Sequence, residues 1–198
     1  LAEFFLARIL GALYFINNID DKDLVARSRR SLIGNSVLFL VFFLSFVIRT
    51  LLADGYAVNP ETGEVFMEPY KYLTNFIEMP LVLVLFLIGV VLVLFGIGKS
   101  LLKTKFDKGI WFTGIGTVLA VLALLLVAGN NTAYYPSTND LQSSLTLANS
   151  CSSQFTLRVM FYVSFLVPFV LAYIFYAWRS IDIHKISEKE MKDGGHAY

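Results

Sequence analysis

The chain has 198 residues, 57% of them hydrophobic and only 16% charged, with 18 phenylalanines and a net charge of +1. That composition lies outside the ordinary soluble range, and no basic excess exists to neutralise nucleic-acid phosphates. The single cysteine, Cys151, excludes an intrachain disulfide and any multi-cysteine metal site.

Residues 1–17, LAEFFLARILGALYFIN, are a short apolar stretch interrupted by Arg8. They lack the basic start and small-residue cleavage site of a signal peptide. The chain begins at Leu1 rather than Met, so this segment is predicted to be the end of a truncated membrane helix. Residues 18–31 follow as a basic loop with Lys22, Arg27, Arg29 and Arg30.

Residues 32–53 carry only Arg49, and residues 155–178 carry only Arg158. Both arginines lie near one end of their run, where a long side chain snorkels to the headgroups. Residues 80–98 and 109–129 contain no ionisable side chain. Each run is about 20 residues long, and at about 1.5 Å per residue that spans the roughly 30 Å hydrocarbon core of a bilayer. A chain this short has nothing with which to cover four such helices in water. The expected fold class is therefore all-α integral membrane: a helix bundle of four transmembrane helices over 32–178, plus the N-terminal partial helix.

Between the first two of these helices, residues 54–79 are acidic, with Asp54, Glu61, Glu64, Glu68 and Glu78 against Lys71 alone. NPETGE, 59–64, reads as a turn between two short extended pieces. FGIGKS, 95–100, superficially suggests a phosphate loop, but Val93 stands where that pattern needs a glycine. It is read instead as a helix exit. In the third helix Thr113 with Thr117, and Gly116 with Ala120, form a face of small residues, matched by Gly89 and Gly96 on the second.

Residues 130–155 are rich in Ser, Thr and Asn, with Asp140 the only charge. Tyr134 and Tyr135 follow a helix end, where amphipathic rings favour the interface, and Trp111 and Trp178 hold the corresponding depth at the other side. Asn130-Asn131-Thr132 is a glycosylation sequon placed very close to the bilayer. In the last helix Phe161, Phe165, Phe169 and Tyr173 make one aromatic stripe, read as lipid contact or helix packing. Pro168 predicts a kink there.

Of the Lys and Arg residues outside the spans, twelve fall in 18–31, 99–108 and the tail 179–198, and one, Lys71, on the opposite side. The positive-inside rule then puts the basic loop and the tail in the cytoplasm, with the N-terminus of this segment outside. Multi-pass placement in a membrane follows.

The chemistry of a site is sparse. His184 and His196 both belong to the tail, so no histidine is available for helix-borne haem or metal ligation, and Met160 has no second ligand at its depth. No Ser–His–Asp grouping is apparent. Arg49, Arg158 and Glu78 all lie near the outer face, where an Arg–Glu pair would offset desolvation and fix helix rotation. The competing reading, a proton or substrate path, needs several polar residues in series at the helix centres. Catalytic, cofactor-binding and metal-binding residues are each expected to be none.

The last third resembles a known family. Tyr135-Pro136, Ser144-Leu145-Thr146, Asn149 with Ser150, Ser152 and Ser153, and Thr156-Leu157 are similar to the last outside loop and last helix of subunit II of cytochrome bd-type quinol oxidases. The W-R-x-I-x-x-H-K-I segment from Trp178, the closing His196-Ala197-Tyr198 and the ALYFINN…LVARSRRS junction also resemble it. The resemblance covers essentially the whole chain. Family subunits are about twice as long, so it implies the C-terminal half of such a subunit. It further implies that haems and the quinol site belong to a larger partner subunit, and that this chain, among membrane lipid, supports that partner in quinol oxidation and oxygen reduction. No catalytic residue is carried over. The alternatives are half of a small transporter, which would place polar residues and broken helices at midplane, and an assembly or scaffold membrane protein without turnover.

Overall fold

Helix α1, Ala2–Asn18, and helix α2, Lys22–Leu52, run as an antiparallel hairpin whose turn holds the two-residue strand β1, Ile19–Asp20. The computed structural model describes residues 1–103, 106–181 and 186–187. Of the predicted tail, the described part beyond Ile181 is strand β4, Ile186–Ser187, which pairs in parallel with β1. Lys105, His184 and His196 lie outside the described residues.

The basic segment predicted as a loop is helical from Lys22. Asp21 caps the helix, its carboxylate accepting from the Leu24 amide at 2.7 Å, and Asp23 occupies the first turn. Carboxylates at a helix start meet the positive end of its dipole, so nothing obliges the chain to wait for the bilayer before coiling. At about 1.5 Å per residue, this 31-residue helix reaches well past the ~30 Å apolar core.

A β-hairpin follows, with β2, Gly55–Val58, antiparallel to β3, Val65–Glu68. NPETGE forms its turn as expected. The Asn59 side chain accepts from the Glu61 amide at 2.9 Å, and Gly63 takes the left-handed conformation at φ 73° that a side chain would resist. Next come the short helix α3, Lys71–Glu78, and the apolar helices α4, Pro80–Leu102, and α5, Gly109–Gly129. FGIGKS is helical throughout.

The face of small residues brings α4 and α5 together. A Cβ on Gly89 would lie 2.6 Å from the Ala120 backbone nitrogen, and one on Gly116 would lie 2.6 Å from the Gly89 carbonyl oxygen. One on Gly96 would meet the Gly109 carbonyl at 2.8 Å. Backbone therefore packs on backbone, the arrangement small residues permit in lipid. Around this pair sit two apolar clusters. Ile9, Leu13 and Ile16 of α1 meet Leu32 and Phe39 of α2 and Val93 and Ile97 of α4. Phe76 of α3 and Phe86 of α4 pack on Ala120, Ala123 and Val127 of α5.

The final predicted helix is two. After a 3-10 turn at Leu141–Ser143 and a single helical turn α6, Leu147–Ser150, helix α7 runs Gln154–Ser164 and α8 runs Val167–Ile181. The break falls at Phe165–Leu166, three residues before Pro168. There the chain tightens to i→i−3 bonds, Phe165 to Tyr162 at 3.2 Å and Leu166 to Val163 at 2.9 Å. Pro168, lacking an N–H, sits in the first turn of α8, where its loss is tolerated. Within the predicted four-helix bundle, α1 takes the fourth packed position. The side chains of α7 and nearly all of those described in α8 are exposed.

Replacing Gly89 by Ala is expected to force α4 and α5 apart and to destabilise the fold by about 1–3 kcal/mol. Gly114, where an added Cβ would meet nothing within 4 Å, is the control. Thermal unfolding in detergent checks this: Gly89→Ala lowers the midpoint and Gly114→Ala leaves it unchanged or slightly higher.

Candidate functional site: a clamped helix pair with an uncovered flank

Each end of the α4–α5 pair is closed by a polar side chain from outside it. At the basic end, Arg29 of α2 donates to the carbonyls of Ser100, Lys103 (3.2 Å) and Phe106 (3.3 Å). One guanidinium thus serves the Ser100 carbonyl in the last turn of α4 and the Lys103 and Phe106 carbonyls beyond it, where its charge also meets the negative end of the helix dipole. Lys99 adds a second cation there, its ammonium 4.8 Å from the Phe95 ring centroid and 4.7 Å from that of Phe106.

At the opposite end, Asn75 of α3 is fully buried, and its amide nitrogen donates to the carbonyls of Val127 and Asn130, both at 2.9 Å. The Thr132 hydroxyl closes the Ala128 carbonyl at 2.6 Å. From there the polar segment doubles back over the hairpin. Val58 donates to the Asn131 carbonyl at 2.9 Å, Ala133 donates to the Tyr56 carbonyl at 2.8 Å, and the Gln142 amide pairs with both Val65 backbone groups, at 3.0 and 2.9 Å. Thr146 and Asn149 form a reciprocal capping box on α6. Lys71, the one basic residue of the acidic loop, is buried against Gly55 and paired with Glu68 at 3.0 Å. Thr132, the third sequon position, is buried within this cap.

The expected Arg–Glu pair is not formed. Arg49, Glu78 and Arg158 are all exposed, and the ion pair found among the described residues joins Lys71 and Glu68 instead. Arg49 ends α2 and Glu78 ends α3, so each extends outward at a helix terminus where solvent and headgroups solvate it more cheaply than a buried partner would. Among the described residues no polar series links them through the helix centres. The buried hydroxyls of Ser100 and Thr113, without hydrogen-bond partners, belong to the α4–α5 contact. Ser36 bonds its own helix at the Leu32 carbonyl, 2.6 Å away.

Met160 is exposed on α7 with no described histidine near it, and no group of three or more His, Cys, Asp or Glu gathers among the described residues. What the structure does offer is surface. Phe161, Phe165, Phe169 and Tyr173 are all exposed, with Phe161 and Phe165 edge-to-face at 5.1 Å. The break divides that stripe between two helices.

The family model for cytochrome bd terminal oxidase subunit II matches residues 1–181. The chain belongs to the cytochrome bd terminal oxidase subunit II family. Over 136 residues it is 32% identical to the cytochrome bd-I ubiquinol oxidase subunit 2 of Escherichia coli K12, and equally to those of the O6:H1 and O157:H7 strains. The aligned region is 67% of this chain and 34% of each relative, so the chain spans about a third of the length of the curated relatives it matches. Among the described residues four spans, Lys22–Leu52, Pro80–Leu102, Gly109–Gly129 and Gln154–Ser180, the last running through the break between α7 and α8, are long and apolar enough to cross a membrane, as befits a multi-pass member of this family.

Composition made the membrane helices legible, but not Arg29 or Asn75. A signal for Asn75 existed: in KYLTNFIEM, 71–79, the apolar Tyr72, Phe76 and Met79 fall on one helical face, and Asn75 lies among them. Removing Asn75 is expected to strand the buried Val127 carbonyl, at about 1–3 kcal/mol, and to leave the Asn130 carbonyl with the Thr132 hydroxyl at 3.1 Å. Asn75→Asp, which puts acceptors against acceptors, should be at least as damaging as Asn75→Leu. Limited chymotrypsin digestion reads this out as faster cleavage around Tyr134 and Tyr135 in both variants.

Proposed function

We propose that this subunit II chain is a non-haem component of a membrane quinol:oxygen oxidoreductase. In that complex a larger subunit carries the haems and oxidises quinol, reducing oxygen to water. This chain packs against that subunit and shields it, and itself supplies no catalytic residue. The observation that carries the reading is the family match together with the uncovered α7–α8 flank: an apolar helix pair with its side chains exposed and a backbone break at its centre. Irregular backbone at membrane depth is tolerated where protein or a water-filled cavity covers it, which supports a partner on this side.

The charge distribution supports an orientation. The Arg29–Lys99 end gathers the basic residues and is the cytoplasmic one, and the hairpin cap faces outward. The membrane is then the bacterial inner membrane.

Two measurements test this. The full-length protein, drawn from its own membranes in mild detergent, is expected to bring a larger subunit and reducible haem bands in the visible spectrum. A colourless preparation without that subunit, in a detergent shown to preserve other complexes, overturns the reading and favours a transporter. Cys151 is exposed in the cap and is the only cysteine of this sequence. A membrane-impermeant maleimide should therefore label it in intact spheroplasts and lose that labelling in Cys151→Ser; protection until the membrane is opened would reverse the orientation.

A further inference from the structure

A cleft of about 890 Å³ opens at the basic end, between the end of α1, the start of α5 and the end of α8. Its lining is graded by depth. Asn17, Trp111, Trp178 and Arg179 all lie within one turn of a helix terminus, at the level where indole rings and basic side chains settle among headgroups. Leu171, Ile174 and Phe175 lie one to two turns further in, at acyl-chain depth.

The charge is one-sided. Among the described residues Arg179 is the only charged side chain in the lining, and no carboxylate lines the cleft. Of the acidic residues at the α1–α2 turn, Asp20, Asp21 and Asp23, none lines the cleft, and Asp21 is held in place as the cap of α2. An anion entering here meets a guanidinium and a carboxamide. A zwitterionic headgroup would bring an ammonium with no acid among the described lining residues to receive it.

Among the described residues, protein contact leaves this place open. The aromatic contact joining α8 to the packed helices is Tyr14 against Trp178, edge-to-face at 6.4 Å, and the rest of the cleft wall on α8 is exposed. We propose that the cleft is the site of one anionic phospholipid, its phosphate on Arg179 and Asn17 and its chains along Leu171 and Ile174, bridging α8 to α1 and α5. Basic pockets between membrane helices recognise anionic headgroups in this way. The site does not depend on the proposed oxidase role. The orientation given above decides only that the lipid belongs to the inner leaflet.

The test uses the full-length protein, purified from native membranes in whatever complex it forms and washed extensively in neutral detergent. Phospholipid that stays bound is quantified by class with mass spectrometry for wild type, Arg179→Gln and Arg158→Gln, the last removing an exposed arginine at the far end. Wild type and Arg158→Gln are expected to retain an anionic phospholipid that Arg179→Gln loses. Micelles doped with phosphatidylglycerol should raise the melting temperature of wild type and not of Arg179→Gln. Equal retention by Arg179→Gln, retention of zwitterionic lipid alone, or polypeptide density filling the cleft in an electron-microscopy map would each overturn the proposal.

Discussion

The approach of α4 to α5 is the contact on which the other elements are hung. In lipid no hydrophobic force drives one apolar helix onto another, so association depends on how closely the backbones come and how many atoms then touch. Gly89 against Gly116, and Gly96 against Gly109, let the two backbones meet without intervening side chains. The consequence runs outward. Val93 and Ile97 of α4 face the α1–α2 hairpin, while Phe86 meets Phe76 of α3, so one helix serves both apolar clusters. Arg29 from α2 and Asn75 from α3 then fasten opposite ends of the pair. Each clamp binds carbonyls that a helix end leaves without an internal partner.

The two long connections follow the same logic at the cap. Residues 54–79 and 130–153 include stretches without regular structure, and a backbone lying against a bilayer needs its polar groups answered internally. Gln142 answers Val65, the Ser144 hydroxyl accepts from the Ser137 amide at 3.0 Å, and the Asn149 amide reaches the Ser144 carbonyl at 2.9 Å. This is why the segment is rich in Ser, Thr and Asn yet nearly uncharged. Short neutral side chains turn back onto the nearby backbone, whereas charges would have demanded water or partners.

The bilayer period and the turn chemistry were plain in the sequence, because a run such as PLVLVLFLIGVVLVLFGIG and a turn such as NPETGE each act locally. The face of small residues was legible for the same reason, although Gly109 and Ser100, which extend it, sit at the helix ends where the pattern thins. What the sequence concealed was long-range. Arg29 belonged to a basic run of no evident individuality, and its partners lie some seventy residues on. Asn75 looked like one polar residue among several. The Arg49–Glu78 expectation failed because matching depth along the membrane normal is not matching position around the bundle, and the sequence supplies only the first. The start of α2 was misplaced because hydropathy marks where a helix enters lipid, whereas capping marks where it begins.

Exposure of apolar side chains carries little information in a membrane, since lipid tails accept Leu or Phe as readily as protein does; exposed polar groups carry more. On α7–α8 the informative feature is the break. Pro168 offers no N–H to the Ser164 carbonyl, and the Ser164 hydroxyl is already turned to the Phe161 carbonyl at 2.6 Å. Irregular backbone at membrane depth is tolerated where protein or a water-filled cavity covers it. Arg8 argues similarly for α1. It is exposed about ten residues, or ~15 Å, from the Asn18 end, close to the middle of a ~30 Å core. Among the described residues, the ring it lies over is that of Phe4, at 5.7 Å. An arginine at the midplane costs about 2.5–3.5 kcal/mol even on the mildest scale, and far less when a neighbouring chain supplies an acceptor. The α7–α8 break and Arg8 thus set polar groups on two separate flanks, where lipid alone serves them badly.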